Sequence, residues 1–244
     1  RTGSVVIVSG DVAASKGERQ VSLEDVAILT IDGAFSFDVI DRQLSDAGDV
    51  NGDGFSDLLS GLERLDLPGQ SGLGLVHVVS GQDITGERGP SIPLAHSVAN
   101  SVLEISGTND ALRIGSTLDG LEDFNGDGFD DFIIGSSRGG PSSIVFGAQD
   151  LFESSSANEI STLDKLGLRI LANRIDDDRM QVGSAGDFNG DGLGDFIVGL
   201  PDDDVGRVRA AGSAYLVFGS TNFDGTPNRL QLRSISEGEG IRFV

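Results

Sequence analysis

The chain has 244 residues, of which 38% are hydrophobic; it has two histidines, no cysteine and a formal net charge of -22. That length and apolar content can bury one large core or two modest ones, while the missing cysteines exclude disulfides and thiolate metal sites. The acidity argues against nucleic acid as a partner, and no apolar run approaches the ~18 residues of a membrane span.

Thirty-six glycines, only six prolines and short β-branched runs predict many strands joined by tight turns. In chain order, "GSVVIVSG" reads as a strand closed by Gly10, and the acidic stretch "DVNGDGFSDLLSG" opens at Asp49. A second apolar strand, "GLVHVVSG", closes at Gly81, and "DFNGDGFDDFIIG" then opens at Asp123. "SSIVFG" closes at Gly147, "DFNGDGLGDFIVG" opens at Asp187, and "GSAYLVFG" closes at Gly219. The acidic stretches lie 74 (123 minus 49) and 64 (187 minus 123) residues apart, a repeat length that indicates stacked or radially arranged supersecondary units.

Between each closing glycine and the next acidic loop lie 39 to 42 residues, room for two more strands such as 180–187 and 229–236. Each unit is therefore expected to hold about four strands, with the acidic loop between the first and second, as in a propeller blade. The predicted boundaries are 1–34 for the second half of a preceding blade and 35–110, 111–172 and 173–236 for three complete ones. Residues 237–244 are expected to start the next. Three blades with partial ones at both ends make an incomplete ring, so the rest of the propeller is expected from the parent chain or from another chain.

Within each loop, positions 1, 3, 5 and 9 carry side-chain oxygens. They are Asp49, Asn51, Asp53 and Asp57, then Asp123, Asn125, Asp127 and Asp131, then Asp187, Asn189, Asp191 and Asp195. Position 7, occupied by Phe55, Phe129 and Leu193, can add only a backbone carbonyl. A set of hard oxygen ligands in a flexible loop suits Ca2+, about three ions in all, better than Mg2+ or zinc. Glycine at position 6 (Gly54, Gly128, Gly192) allows the backbone to curl round one ion. Positions 2 and 8 vary, so Asp130 reads as a solvent-facing residue outside the ligand set. The EF-hand shares the first six positions but needs a Glu at position 12, where Ser60, Ile134 and Val198 stand, and a helix on each side; a dockerin also needs helices.

The pattern resembles the FG-GAP repeat of integrin α-subunit propellers and their bacterial relatives. Residues 182–204, "VGSAGDFNGDGLGDFIVGLPDDD", followed by "GSAYLVFG", carry the resemblance most fully, and it extends over residues 37–219. The first and second copies lack the proline-containing turn, and the second has extra residues before its loop. The resemblance implies an all-β propeller whose calcium loops pin the first hairpin of each blade. It implies a protein or glycan partner on the opposite face. It also implies an adhesion, protein-binding or scaffold module of a secreted or cell-surface protein, expected to be bacterial because the cysteine-free, acidic, lysine-poor composition is similar to that of bacterial exported proteins. The alternative is the propeller of a polysaccharide lyase or hydrolase, or a lectin; no tryptophan and a single tyrosine, Tyr215, disfavour a sugar platform.

No enzyme is expected. "GSSRG" at 135–139 matches a nucleophile-elbow pattern at Ser137, but Gly140 and Pro141 follow where a helix is needed. His77 sits inside a strand and His96 in a polar segment, too little material for a triad or a metal hydrolase. The runs Asp176–Asp178 and Asp202–Asp204 read as solvated loops.

Overall fold

The computed structural model describes residues 4–8, 27–32, 43–63, 72, 74–84, 92–93, 102–106, 113–137, 141–152, 158–159, 167–172, 180–223 and 229–244. His96, Asp176–Asp178 and Gly10 lie outside the described residues. The regular secondary structure of the described residues is nearly all strand. In order these are β1 Ser4–Val8, β2 Ala27–Asp32, β3 Gln43–Gly48, β4 Asp57–Leu62, β5 Leu75–Val79, β6 Ile92–Pro93, β7 Val102–Ser106, β8 Ile114–Glu122 and β9 Asp131–Ser136. They continue with β10 Ser142–Val145, β11 Asn158–Glu159, β12 Gly167–Leu171, β13 Gln181–Gly186, β14 Asp195–Leu200, β15 Ser213–Val217, β16 Arg229–Gln231 and β17 Gly240–Phe243. The helical pieces among the described residues are one turn at Gly81–Ile84 and a 3-10 turn at Leu232–Ser234.

Three antiparallel meanders repeat one plan. Sheet I runs β3-β4-β5-β7, sheet II runs β8-β9-β10-β12 and sheet III runs β13-β14-β15-β17, and each acidic loop joins the first strand to the second. β1 and β2 form a further antiparallel pair.

A short parallel strand then links one sheet to the one before. β6 pairs with β2, β11 with β7 and β16 with β12. Each of these strands leaves the connection between the third and fourth strands of its own unit and lies along the outer edge of the preceding sheet. This occupies backbone groups that an edge strand would otherwise leave unpaired.

Two sequence expectations change here. The run 229–236 is not one strand: Arg229–Gln231 joins sheet II, and the chain then turns at Leu232–Ser234. Residues 240–243, expected to open a further unit, pair with β15 as the outer strand of sheet III. Apolar alternation reports a tendency to be strand and cannot report which sheet the strand joins.

Alternating side chains place the core between sheets. Phe132 and Ile134 join Leu59, Val76, Val78 and Ile105 of sheet I, whereas Ile133 points the other way and joins Phe196, Val198 and Tyr215 of sheet III. β9 is buried along its whole length because it is covered on both faces. Asp119 ties the first strands together, its two carboxylate oxygens accepting from the Ser45 hydroxyl (2.6 Å) and the Ser184 amide (2.9 Å).

Candidate metal centres

A bulge precedes each acidic loop. The register shifts between Asp46 and Gly48, Gly120 and Glu122, and Ser184 and Gly186. The residue at each bulge has positive φ: 75° at Gly48, 60° at Glu122 and 62° at Gly186. A bulge of this kind turns the following residue out of the ladder, so the first aspartate starts the loop instead of extending the strand. Positions 4 and 6 are glycines with φ of 72° and 89°, 78° and 92°, and 78° and 91° in the three loops, a conformation that side chains resist.

The same hydrogen bonds recur in all three loops. Asp49 accepts the amides of Asp53 and Gly54, Asp123 those of Asp127 and Gly128, and Asp187 those of Asp191 and Gly192, at 2.9 to 3.1 Å. The position 5 carboxylate accepts the position 7 amide and, at 2.8 Å, the side-chain amide of the position 3 asparagine. The position 9 carboxylate lies at the start of the second strand and spans the unit. One oxygen accepts the position 2 amide, from Val50, Phe124 or Phe188. The other accepts the amide of the closing glycine, Gly81, Gly147 or Gly219, at 2.8, 2.8 and 2.9 Å.

Those closing glycines read in the sequence only as turns. A Cβ on any of them would run into backbone of its own acidic loop, the carbonyl of Ser56, Asp130 or Gly194. Their constant identity after each third strand was the available signal.

Asp57 is 2% exposed, and Asp131 and Asp195 are fully buried. Burial pushes the Asp57 carboxyl up to about 7; the amides of Gly81 and Val50 oppose the rise, and the charges of Asp53 and Asp49 add to it. Burial likewise pushes Asp131 up to about 8, against the amides of Gly147 and Phe124 and with the charges of Asp127 and Asp123. These are carboxylates beside other carboxylates, with no cationic side chain paired to them among the described residues.

The donor set fits a hard divalent cation. Positions 1, 3, 5 and 9 supply only oxygen, each loop is curled by two left-handed glycines, and the buried aspartate lacks a counter-charge. Among the described residues no three acidic or histidine side chains are drawn together as a closed metal cage; the loop amides hold the carboxylates where they stand. Position 7 has a second role that the sequence hid. The Phe129 ring lies 2.7 Å from where a Cβ of Gly52 would be, and Leu193 lies 3.4 Å from that of Gly126, so each covers the preceding loop.

Residues 114–150 match the FG-GAP repeat. The match takes in β8, the whole second acidic loop, β9 and β10. No curated protein matches the chain. The matched stretch, 114–150, shares its bulge, its loop hydrogen bonds and its buried position 9 aspartate with residues 43–63 and 181–200.

Two residues differ from their expected roles. Asp130 is not a solvent-facing bystander: its carboxylate accepts the Asp49 amide at 2.7 Å and its own amide donates to the Asp49 carbonyl at 3.2 Å. Asp203 is not solvated either. It is 3% exposed, accepts the Ser213 hydroxyl at 2.7 Å and pairs with Arg233 at 2.7 Å and Arg242 at 3.6 Å. Burial alone would raise its carboxyl, but Ser213, Arg233 and Arg242 outweigh that and hold it below its ordinary value. Sequence separation concealed both, since their partners lie in another loop or at the far end of the unit.

The Ser137 hydroxyl donates to Glu63 at 2.7 Å. Ser60, His77 and Glu104 stand in register across β4, β5 and β7, with His77 3.3 Å from Glu104. Ser60 and His77 are fully buried, so no substrate reaches them. Tyr215 is buried beneath Arg242, whose guanidinium lies 5.6 Å from the ring centre, and offers no platform for a sugar.

Proposed function

We propose that the chain is a calcium-stabilised β-propeller segment whose sheets I to III are blades, acting as a non-catalytic adhesion, protein-binding or scaffold module. The observation that carries the calcium is the aspartate at position 9 in all three loops. It is buried next to two more aspartates without a cation among the described side chains, an arrangement that is costly unless an ion neutralises it. Asp49, Asn51, Asp53 and Asp57 would hold one ion, with the Phe55 carbonyl; the Asp123 and Asp187 loops would hold two more in the same way. The ion supplies positive charge and a fixed centre, and the loop amides keep the carboxylates turned inward.

The match at 114–150 supports this reading, because FG-GAP repeats typically form binding propellers in extracellular proteins. Among the described residues no helix is long and apolar enough to cross a membrane. A secreted or surface-attached bacterial protein, weakly ordered in a low-calcium cytoplasm and locked after export, is the setting that suits these loops. The partner, protein or glycan, binds on the face away from them.

At a free calcium concentration ~100-fold above Kd, each site adds about 2.7 kcal/mol. Thermal unfolding in calcium, in magnesium and in chelator tests the proposal. A melting temperature that rises only with calcium is expected, and an unchanged one refutes it.

A further inference from the structure

The two pairs of neighbouring loops are joined unequally. Asp130, at position 8 of the second loop, makes two hydrogen bonds, and both close on the backbone of Asp49, the first residue of the first loop. The 2.7 Å bond to its carboxylate is charge-assisted and therefore the stronger kind. Ala148 adds a third link, its amide donating to the Val50 carbonyl at 2.9 Å.

Between the second and third loops the bonds among the described residues are backbone to backbone. Gly194 donates to the Asp123 carbonyl at 3.0 Å and Ser220 to the Phe124 carbonyl at 2.9 Å. The space explains the difference. Gly48 leaves room for the Asp130 side chain, whereas the chain at Leu121 and Glu122 fills the corresponding place and a Cβ at position 194 would strike the Leu121 carbonyl. In the third loop Asp187 receives no bond of this kind among the described residues.

We propose that Asp130 couples the first two cation sites, so that a divalent cation in the second loop raises the affinity of the first. The inference rests on the calcium reading above. An ion held by Asp123, Asn125, Asp127 and Asp131 fixes the residue next to Asp131 in the chain. Asp130 in turn fixes both backbone groups of Asp49, so the first loop orders at less cost in conformational entropy. Asp130 is a positioning residue, touching a ligand's backbone and not the ion. Linkage makes the effect mutual: the first loop raises the affinity of the second by the same factor. The third loop, joined through backbone alone, fills more nearly independently.

The test is a calcium titration of the full chain, following the amide resonances of Gly54, Gly128 and Gly192 as separate reporters of the three loops. In the unaltered protein Gly54 and Gly128 are expected to shift together and steeply, with Gly192 on its own curve. Asp131→Asn, which disables the second site, should weaken calcium binding at Gly54 about fivefold, a typical coupling. Asp130→Ala should separate the Gly54 and Gly128 curves and remove their steepness. Asp130→Asn keeps both an acceptor and the amide and should retain the coupling. Circular dichroism identifies a variant that fails to fold; if Asp130→Ala does so, the two asparagine variants decide. Gly54 and Gly128 curves that are independent in the unaltered protein, or unchanged in Asp131→Asn, overturn the coupling and leave the calcium reading standing. Equal losses in Asp130→Asn and Asp130→Ala overturn positioning in favour of simple charge attraction. No calcium-dependent shift at any of the three glycines overturns the calcium reading and the coupling with it.

Discussion

Phe124 and Phe188 hold the same place in successive acidic loops, yet Phe124 is fully buried and Phe188 is 62% exposed. Nine residues further on in each loop the contrast repeats, with Ile133 fully buried and Ile197 42% exposed. The local structure is the same in both: the bulge, the left-handed glycines and the carboxylate hydrogen bonds all recur. What differs is the next sheet. Phe124 packs on Phe196 of sheet III and on Phe223 in the connection after β15, with ring centres 5.4 and 5.1 Å away, and its carbonyl accepts the Ser220 amide. Among the described residues nothing does this for Phe188. Val50 and Leu59 of sheet I, fully buried under sheet II, follow the Phe124 pattern. Position 2 of the first and second acidic loops is thus a peg for the following sheet, and these loops serve packing as well as charge.

The largest expected effect tests whether the three loops behave alike despite this difference. Removing calcium from a saturated protein should cost about 8 kcal/mol in all at ~100-fold excess over Kd, three sites at about 2.7 each. Differential scanning calorimetry at stepped calcium concentrations measures it, and the third loop, lacking a covering sheet among the described residues, should empty first. A single substitution gives the next effect. Phe124→Ala should cost about 3–5 kcal/mol, as for large-to-small changes in a packed core. Phe188→Ala should stay within about 0.5 kcal/mol, as for an exposed site. Urea unfolding of both would break the comparison if the two costs were equal.

Sheet III is also held at its other end by Asp203. Asp203→Ala should cost about 1.5–3 kcal/mol, the range for hydrogen bonds to charged groups, toward the lower end because Arg233 and Arg242 are 43% and 41% exposed. The folded-state carboxyl lies below its ordinary 3.8, so its contribution is present above that pH and is lost as pH falls through the lower folded value. An acid titration of stability in the parent and the alanine variant should converge there.

A further pH dependence runs the opposite way. In calcium-free buffer Asp57 and Asp131 stay protonated in the fold up to about 7 and about 8, whereas the unfolded chain releases those protons near 3.8. The folded state therefore binds more protons across that interval, and stability should fall as pH rises from about 4 toward 8. Asp57→Asn and Asp131→Asn should each flatten that slope in chelator.

The sequence by itself determined the repeat, the strand-rich class and the loop residues proposed as ligands. Asp, Asn and Gly at fixed offsets impose their geometry within nine residues, and three copies in register reveal it without a neighbour. The same local logic gave the strand after each loop, because a short apolar run closed by glycine is written into "DFIIG" and "DFIVG". Tertiary structure alone decided what crosses between units. It took Arg229–Gln231 to sheet II and kept Gly240–Phe243 in sheet III, turned Asp203 inward onto two arginines, and set Asp130 against Asp49 across 81 residues of chain. Each of those outcomes depends on which backbone groups and spaces a neighbouring sheet offers, and a periodic pattern carries no record of its neighbours. Burial follows the same rule: identical phenylalanines become core or surface according to whether another sheet lies over them.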